Sequence, residues 1–318
     1  MSGSYASRLS EYANKGVCGL PERHDNVRSM TLKMKRLVEM VQKAEHIVVL
    51  TGAGISTSAG IPDFRGPTGI WTQEKKKKGK AAAAVAANKK KSDASAATNS
   101  NSADNKKRKR TSDVLMSFDQ AAPTLTHRAL AFLGANNKCH FVVTQNVDGL
   151  HKRSGLSRDQ HAVLHGCVFT EVCEDCQMEH FRDYDVGGMS FQRTNRKCDD
   201  CGGHLRDCLL DWEDALPEFD FQRCQQHCAQ ADLVLALGTS LRIEPAGSLP
   251  TLAKKFAIVN LQETPYDKKA DLIIRASVDE VMTKLIEGLG FKSDWDSNTD
   301  VMIERHWKQP NPVEEEEE

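Results

Sequence analysis

The fold is decided by the stretch HIVVLTGAGIS, residues 46–56, where an apolar run from His46 to Leu50 ends at Thr51 and Gly52. The run is too short for a core helix and has the length of a buried parallel strand. Apolar residues at helical spacing come before it: Met30, Met34, Leu37, Val38 and Val41. We therefore predict a helix, then a buried strand, then a turn.

Four more short apolar runs with flanking turn residues have the same character: Phe141–Thr144, Asp232–Leu237, Phe256–Val259 and Asp271–Ile274. One apolar stripe predicts a closing helix: Val278, Val281, Met282, Leu285, Ile286 and Leu289. Five buried strands with helices between them predict an α/β fold, a Rossmann-like doubly wound parallel sheet with a small inserted module. The sheet domain is assigned residues 1–73, 114–166 and 209–296.

The composition excludes several classes of protein. No apolar run approaches the ~18 residues of a membrane span, and the polar start Met1–Ser10 lacks the apolar core of a signal peptide. We therefore expect a soluble, intracellular chain with no membrane partner. In such a chain of 318 residues, ten cysteines favour metal binding over a disulfide framework.

Charge is separated along the chain. The net charge is −1, yet residues 74–110 hold 13 of the 43 Lys and Arg and 3 of the 44 Asp and Glu, which makes that segment +10 and the remainder −11. Residues 74–113 have no aromatic side chain and too little apolar surface to offset their ordering entropy, so we expect a disordered, basic, low-complexity insertion. Residues 297–318 are interpreted as an acidic tail that ends in Glu314–Glu318.

Two Cys-x-x-Cys pairs, Cys173 with Cys176 and Cys198 with Cys201, are separated by 21 residues. Four thiolates suit tetrahedral zinc, and a site of four cysteines is coordinatively closed, so the zinc should build structure and not activate water. A redox role is the alternative, but neither pair opens a helix after a strand. We assign residues 167–208 to a small zinc module, polar and poor in strands. The other cysteines are interpreted as ordinary thiols: Cys18, Cys139, Cys167, Cys208, Cys224 and Cys228.

The turn after the first strand, residues 51–56, has glycines that would let the backbone approach a pyrophosphate at a helix N-terminus. Two features of the dinucleotide-binding fingerprint are missing, because Thr57 replaces its third glycine and no acidic residue follows at ~20 residues. A glycine-rich turn that binds no ligand is therefore an alternative on the evidence of this turn alone.

The continuation GAGISTSAGIPDFRG, residues 52–66, resembles the cofactor loop of sirtuins along its whole length. Further segments resemble motifs of the same family: TQNVDGLH at 144–151, LHG at 164–166, GTS at 238–240 and VNLQ at 259–262. The resemblance runs from about Tyr5 to Trp295, apart from the insertion. YANKGVCGLPE at 12–22 and DWEDALP at 211–217 resemble the sixth-sirtuin (class IV) subgroup of nuclear chromatin deacylases.

The resemblance implies a set of site residues. NAD, consumed as a co-substrate, would contact Ala53, Thr57, Phe64, Arg65, Trp71, Gln145, Asn146, Asp148, Gly238, Ser240, Asn260, Gln262 and Val278. His165 would be the catalytic general base, since a histidine pKa of ~6.5 suits proton transfer at neutral pH. Asp211 and Trp212 would hold the substrate peptide as an added strand.

A structural interpretation is the alternative for several of these positions. Asp63 and Asp148 could be turn formers, and Trp71 could belong to the core. Asp211 could start a helix, with Trp212 simply buried.

The implied reaction removes acyl groups from protein lysines. The acyl carbonyl oxygen would attack C1′ of the nicotinamide ribose as nicotinamide leaves, which forms a covalent imidate. Attack of a ribose hydroxyl on this imidate would lead to free lysine and O-acyl-ADP-ribose. We expect a deacetylase or long-chain deacylase that acts on acylated lysines of histones or other chromatin proteins in the nucleus. The alternatives are a protein mono-ADP-ribosyltransferase that uses the same site, and a catalytically idle chromatin-binding zinc module.

The basic insertion suggests a nucleic-acid partner. Its run Lys106–Arg110 is typical of a nuclear localisation signal, and its clustered charge predicts sequence-blind binding to DNA or nucleosomes. Only Asp199 and Asp200 separate the third and fourth zinc cysteines, where relatives carry a longer basic loop, which argues against a nucleosome contact through that loop.

Overall fold

The computed structural model describes residues 2–12, 15–80, 117–291 and 306–308. Its helices are α1 (Ser2–Arg8), α2 (Val27–Lys43), α3 (70–80, where the described stretch ends), α4 (Leu125–Ala135), α5 (Leu150–Arg153), α6 (Glu218–Gln230) and α7 (Val278–Gly288). Its strands are β1 (Ile47–Thr51), β2 (Phe141–Thr144), β3 (His161–Val163), β4 (Thr170–Cys173), β5 (Met178–Phe181), β6 (Arg193–Lys197), β7 (His204–Asp207), β8 (Leu233–Leu237), β9 (Phe256–Val259), β10 (Leu272–Ile274) and β11 (His306–Lys308). None of these helices has both the length and the apolar character of a membrane span.

The larger sheet is parallel and has six strands in the order β10-β9-β8-β1-β2-β3. β1 is central, with Leu50 opposite Val143 on one side and Ala236 on the other. The strand order reverses between β1 and β8, and such a reversal opens a crevice at the carboxyl ends of the two strands. The predicted doubly wound sheet is confirmed. β3 is a sixth strand that the apolar runs did not reveal, because its sequence is His-Ala-Val.

Alternate residues of the central strand face opposite layers of helices. Val49 belongs to the cluster formed with α2, α4 and α7, whereas Val48 and Leu50 belong to the cluster on the α6 side. α2 begins at a cap in which the Asn26 side chain accepts a 2.9 Å hydrogen bond from the Ser29 N–H. Helices cover both faces of the sheet, so a ligand can approach only at the strand ends.

A second sheet of antiparallel strands, in the order β11-β5-β4-β7-β6, forms the cysteine-bearing module. The expectation of a module poor in strands was wrong. β6 has no apolar residue, so hydrophobic periodicity could not reveal it. Arg182 and, from β6, Arg196 both pair with the fully buried Glu171, which offsets the cost of burying its charge. β11 comes from the segment expected to be an acidic tail, and Glu314–Glu318 lie outside the described residues.

The start of the insertion also differs from the expectation. Residues 74–80 were expected to be disordered, but they continue α3. Glu74 pairs with Lys15 at 2.7 Å, so the helix is tied to the N-terminal segment by a charge pair that an estimate of apolar surface does not count. Residues 81–113, including the run Lys106–Arg110, lie outside the described part of the chain.

Candidate active site

A cavity of about 650 Å³ opens at the carboxyl ends of the central strands, where the strand order reverses. Its wall includes fourteen of the predicted site residues: Ala53, Phe64, Arg65, Trp71, Gln145, Asn146, Asp148, His165, Asp211, Trp212, Gly238, Ser240, Asn260 and Gln262. The volume lies in the range of small-molecule sites. Folding therefore brings together side chains that are far apart along the chain, from Ala53 to Gln262.

Two predicted cofactor residues are not part of this wall. Thr57 is exposed, and its hydroxyl donates a 3.1 Å hydrogen bond to the Gly54 carbonyl. Val278 is buried in the core at the start of α7. Contacts of these two side chains with a nucleotide stay predictions.

The loop after β1 does not open a long helix, so the expected helix N-terminus is not there. Two short 3₁₀ turns follow instead, Ala53–Ile55 and Thr57–Ala59. The glycines have a different use: a Cβ on Gly54 would lie 2.8 Å from the Cα of Gly238, closer than such atoms approach. The Gly54 N–H also donates to the Gly238 carbonyl at 2.8 Å. Glycine is thus required for the ends of β1 and β8 to meet beside the cavity.

His165 lies half-buried in the cavity wall. Its Nδ1 is 3.0 Å from the Gln145 carbonyl oxygen. Since a carbonyl only accepts, Nδ1 carries the proton and Nε2 keeps an acceptor lone pair. Burial lowers the pKa of His165 to about 4, with the Arg65 guanidinium acting in the same direction and the bond to Gln145 opposing the shift. The imidazole is therefore neutral at pH 7, which is the form a general base requires.

The residue after this histidine has to be glycine. Gly166 has a φ of +80°, and a Cβ added to it would lie 1.9 Å from the carbonyl oxygen of Cys208. The two segments that connect the sheet domain to the module therefore touch at this point. Any larger residue would push them apart and shift His165 away from Gln145.

Asp148 and Asn146 join the loops after β1 and β2. The Ser56 hydroxyl donates to the Asp148 carboxylate at 2.7 Å, and the Leu150 N–H donates to it at 3.0 Å. The Asn146 side-chain amide donates to the Gly52 carbonyl at 3.1 Å. Burial raises the pKa of Asp148, although these hydrogen bonds oppose the shift. Asp148 therefore forms a turn, as the structural alternative held, and also builds the wall of the cavity.

Aromatic side chains form a further part of the wall. The Trp71 ring centroid lies 4.6 Å from that of Phe64 and 5.1 Å from that of Trp212, and Trp212 stacks on Tyr12 at 4.7 Å. The Arg65 guanidinium lies 4.5 Å from the Trp71 centroid, a cation–π contact. Trp71 is buried yet lines the cavity, so the core and site interpretations both apply to it.

The loop that carries Asp211 and Trp212 packs against the N-terminal segment. The Asp211 carboxylate accepts from the Ser10 N–H at 3.1 Å and from the Ser10 hydroxyl, while the Trp212 indole N–H donates to the Ser10 carbonyl at 3.1 Å. The structural alternatives for this pair were wrong, because α6 begins only at Glu218 and Trp212 is half-buried.

The segment after β9 is held by its own hydrogen bonds. The Asn260 amide donates to the Gln262 carbonyl at 2.9 Å, and the Gln262 amide donates to the Leu20 carbonyl at 2.6 Å. The Arg275 guanidinium donates to the Asn260 carbonyl at 2.9 Å and to the Gln262 carbonyl at 2.7 Å. This segment is therefore held by hydrogen bonds to other parts of the chain.

Some residues of the wall were missed by the sequence analysis. Ser56 bonds Asp148, and Thr239 accepts a 3.2 Å hydrogen bond from the Gln145 amide. Both belong to motifs that were recognised, so the motif itself was a sufficient signal. Tyr5 and Phe118 line the cavity from segments with no motif, and only the tertiary structure reveals them.

The four predicted zinc ligands, Cys173, Cys176, Cys198 and Cys201, form a cysteine tetrad in the module. The Sγ atoms of Cys173 and Cys201 are 3.4 Å apart, those of Cys176 and Cys198 are 3.7 Å apart, and all four lie within 4.8 Å of one another. Zinc–sulfur bonds of about 2.3 Å at tetrahedral angles need sulfur separations of about 3.8 Å. The tetrad therefore fits one tetrahedral zinc ion, and no position is left for water.

Comparison with known proteins agrees with this geometry. Residues 52–245 match the sequence model of the Sir2 family. The chain is 43% identical over 288 residues to the NAD-dependent protein deacetylase SRT1 of Oryza sativa subsp. indica, covering 89% of this chain and 53% of that protein. It is 40% identical to the NAD-dependent protein deacetylase Sirt6 of Drosophila melanogaster, covering 91% of this chain and 86% of that protein. The chain spans about half the length of the SRT1 proteins that it matches.

Solved structures give the same result. The structure of Sir2Tm bound to a propionylated peptide aligns with a TM-score of 0.56 and 28% identity, covering 82% of this chain and 100% of that one. A complex described as Sir2–p53 peptide–NAD+ aligns with a TM-score of 0.55 and 28% identity, covering 81% and 99%. The family assignment made from the sequence motifs is confirmed: the chain belongs to the Sir2 family.

Proposed function

We propose that this chain is an NAD-dependent protein-lysine deacylase that removes acetyl or longer acyl groups from histones or other chromatin proteins. The observation that carries the proposal is a neutral histidine in the wall of the cavity at the strand reversal. Its Nδ1 proton is held by the Gln145 carbonyl, so the Nε2 of His165 is kept ready to accept a proton. Sirtuin relatives named as NAD-dependent deacetylases support it.

NAD would bind at the carboxyl ends of β1, β2, β8 and β9, as dinucleotides do at such reversals. It would supply C1′, the ribose carbon that the acyl oxygen attacks as nicotinamide leaves, and the ribose hydroxyl that finally carries the acyl group. Gly54 and Gly238 both line the cavity, so a nucleotide there would meet the backbone of both loops. Asn146 and Asp148 would shape the nicotinamide end, because their side chains are already fixed by Gly52 and Ser56.

His165 would remove a proton from a ribose hydroxyl at its Nε2, which makes that oxygen a nucleophile toward the acyl carbon. The positive charge that develops on the imidazole would be stabilised through Nδ1–H by the Gln145 carbonyl. The Arg65 guanidinium opposes that charge, which favours prompt return of the proton. His165 is thus proposed as base and not as nucleophile.

The acyl-lysine peptide would bind beside the loop 211–217, where Asp211 and Trp212 line the cavity and would hold the peptide as an added strand. Trp71, Phe64 and Trp212 offer an apolar wall to an acyl chain, while Asp211 is already bonded to Ser10. Solved neighbours are described as bound to a propionylated peptide and to an acetylated peptide. The cysteine tetrad would hold one structural zinc that keeps the module folded.

The experiment that tests this proposal is incubation of the protein with NAD and with lysine peptides that carry acyl chains of increasing length. We expect nicotinamide release that depends on the peptide, and a peptide mass loss of ~42 Da per acetyl group. A gain of ~541 Da on a protein acceptor would favour the mono-ADP-ribosyltransferase instead. If no peptide or protein causes nicotinamide release, the catalytically idle chromatin-binding module is the remaining hypothesis.

The basic insertion is proposed to direct the protein to the nucleus and to bind DNA or nucleosomes through phosphate contacts. Residues 81–113 carry eight Lys and Arg. If roughly six to eight of them meet phosphates, the slope of log K against log salt should be about −5 to −7.

We expect that replacing residues 81–113 by a Gly/Ser linker of equal length removes most of this slope and the nuclear accumulation. Residues 70–80 stay intact in this variant because Glu74 of α3 pairs with Lys15. A shuffled insertion of the same composition is the matched control, since electrostatic binding survives shuffling while a localisation signal does not. Unchanged salt dependence and import in the linker variant would make the insertion a passive loop.

A further inference from the structure

His180 is a buried histidine beside the cysteine tetrad. Its side chain is fully buried, and its Nε2 lies 3.3 Å from the Sγ of Cys198. Because alternate residues of a strand share a face, His180 lies on the same face of β5 as Met178. Met178 packs against the small cluster formed by Cys173, Cys198 and Leu205. His180 therefore contacts the tetrad from the β5 side.

The chemistry of a zinc site decides the direction of this hydrogen bond. A zinc-bound cysteine is a thiolate, which accepts hydrogen bonds and has no proton to donate. With zinc present, the Nε2 of His180 must therefore carry the proton and donate it to the Sγ of Cys198. Four thiolates and one Zn²⁺ leave excess negative charge, and the Asp200 carboxylate, 3.9 Å from the same sulfur, adds to it. A buried N–H donor at this sulfur offsets that charge.

We propose that His180 is a positioning residue for the zinc: its hydrogen bond holds the Cys198 thiolate on the metal and slows zinc loss. The bond withdraws electron density from the sulfur and fixes its direction, as outer partners of metal ligands do. This inference rests on the structural zinc in the proposed function. The Cys-x-x-Cys spacing that predicted the zinc site does not imply this role, because His180 lies outside both cysteine pairs.

The test is the rate of zinc transfer to an excess of a colorimetric chelator. His180→Phe keeps a flat ring but removes the donor, and we expect roughly 10-fold faster release or more. His180→Gln retains an N–H donor and should stay closer to the parent. His204→Gln is the matched control, since the His204 ring lies 2.8 Å from the Lys197 ammonium and not at a sulfur; its release rate should equal that of the parent.

A second readout separates electronic from purely structural effects. In protein loaded with Co²⁺, the thiolate-to-metal charge-transfer bands should shift in His180→Phe and return in His180→Gln. His180→Asn, whose amide is too short to reach the sulfur, replaces His180→Phe if that variant does not fold. A parent without zinc would overturn the zinc assignment and this inference together. A parent with one zinc, and equal release from the donor-free variant, would overturn this inference alone.

Discussion

Replacement of His165 by alanine is expected to lower the turnover of NAD-dependent deacylation by ~10²- to 10⁴-fold, the range for loss of a general base. The reason is geometric: the Gln145 carbonyl fixes the ring with its Nε2 as acceptor, and alanine offers no atom that can take the ribose proton. The measurement is steady-state nicotinamide release with kcat and KM determined separately. The loss should appear in kcat, because proton removal contributes only in the transition state.

The control is to show that the variant is folded and loaded with metal to the same extent as the parent. His165→Ala should keep the melting temperature and zinc content of the parent, and His204→Gln should keep full turnover. Turnover of His165→Ala above a tenth of the parent value would mean that another group is the base.

The same histidine sets the acid side of the pH profile. Burial lowers the pKa of His165 to about 4 in the folded chain, so the neutral base is present above that pH and is lost as the pH falls through it. The acid limb of kcat/KM should therefore lie well below the ~6.5 of an ordinary histidine, on which the sequence-based expectation relied. Circular dichroism at each pH separates this limb from acid unfolding. A limb near 6.5 would show that burial does not control the proton affinity of this base.

Cys173→Ser is expected to destabilise the whole chain, because structural zinc contributes folding free energy, apparent values being ~10–16 kcal/mol in small zinc peptides at pH 7. Cys173 ends β4, and its Sγ lies 3.4 Å from that of Cys201. A serine hydroxyl is a poor zinc ligand, so the tetrad should lose its metal. The five-stranded sheet would then lose the link that zinc makes between its cysteine-bearing segments. Zinc per chain and the melting temperature are the measurements, and deacylation should fall in proportion to the unfolded fraction.

Cys18→Ser is the matched control. Cys18 is a thiol outside the tetrad. Its Sγ donates weak hydrogen bonds to the backbone carbonyls of Lys15 and Gly16. It should keep zinc and the melting temperature of the parent. A Cys173→Ser protein with stoichiometric zinc and unchanged melting would contradict the structural role of the metal.

Local patterns were sufficient for much of the architecture. The apolar runs marked five of the six parallel strands, because strands buried on both faces need continuous apolar sequence. β6 and residues 74–80 escaped the same reasoning. Both are tied to the rest of the chain by ion pairs, Arg196 with Glu171 and Glu74 with Lys15, whose partners lie far away in sequence.

The site divides in the same way. The sequence by itself determined which residues form the motifs and that four cysteines recur at metal-ligand spacing, since both are properties of short segments. Only the tertiary structure decided that these motifs share one cavity and that His165 is neutral at pH 7. Carboxyl ends of parallel strands converge only when the sheet assembles, and a pKa depends on burial and on neighbours such as Gln145 and Arg65, which other segments of the chain supply.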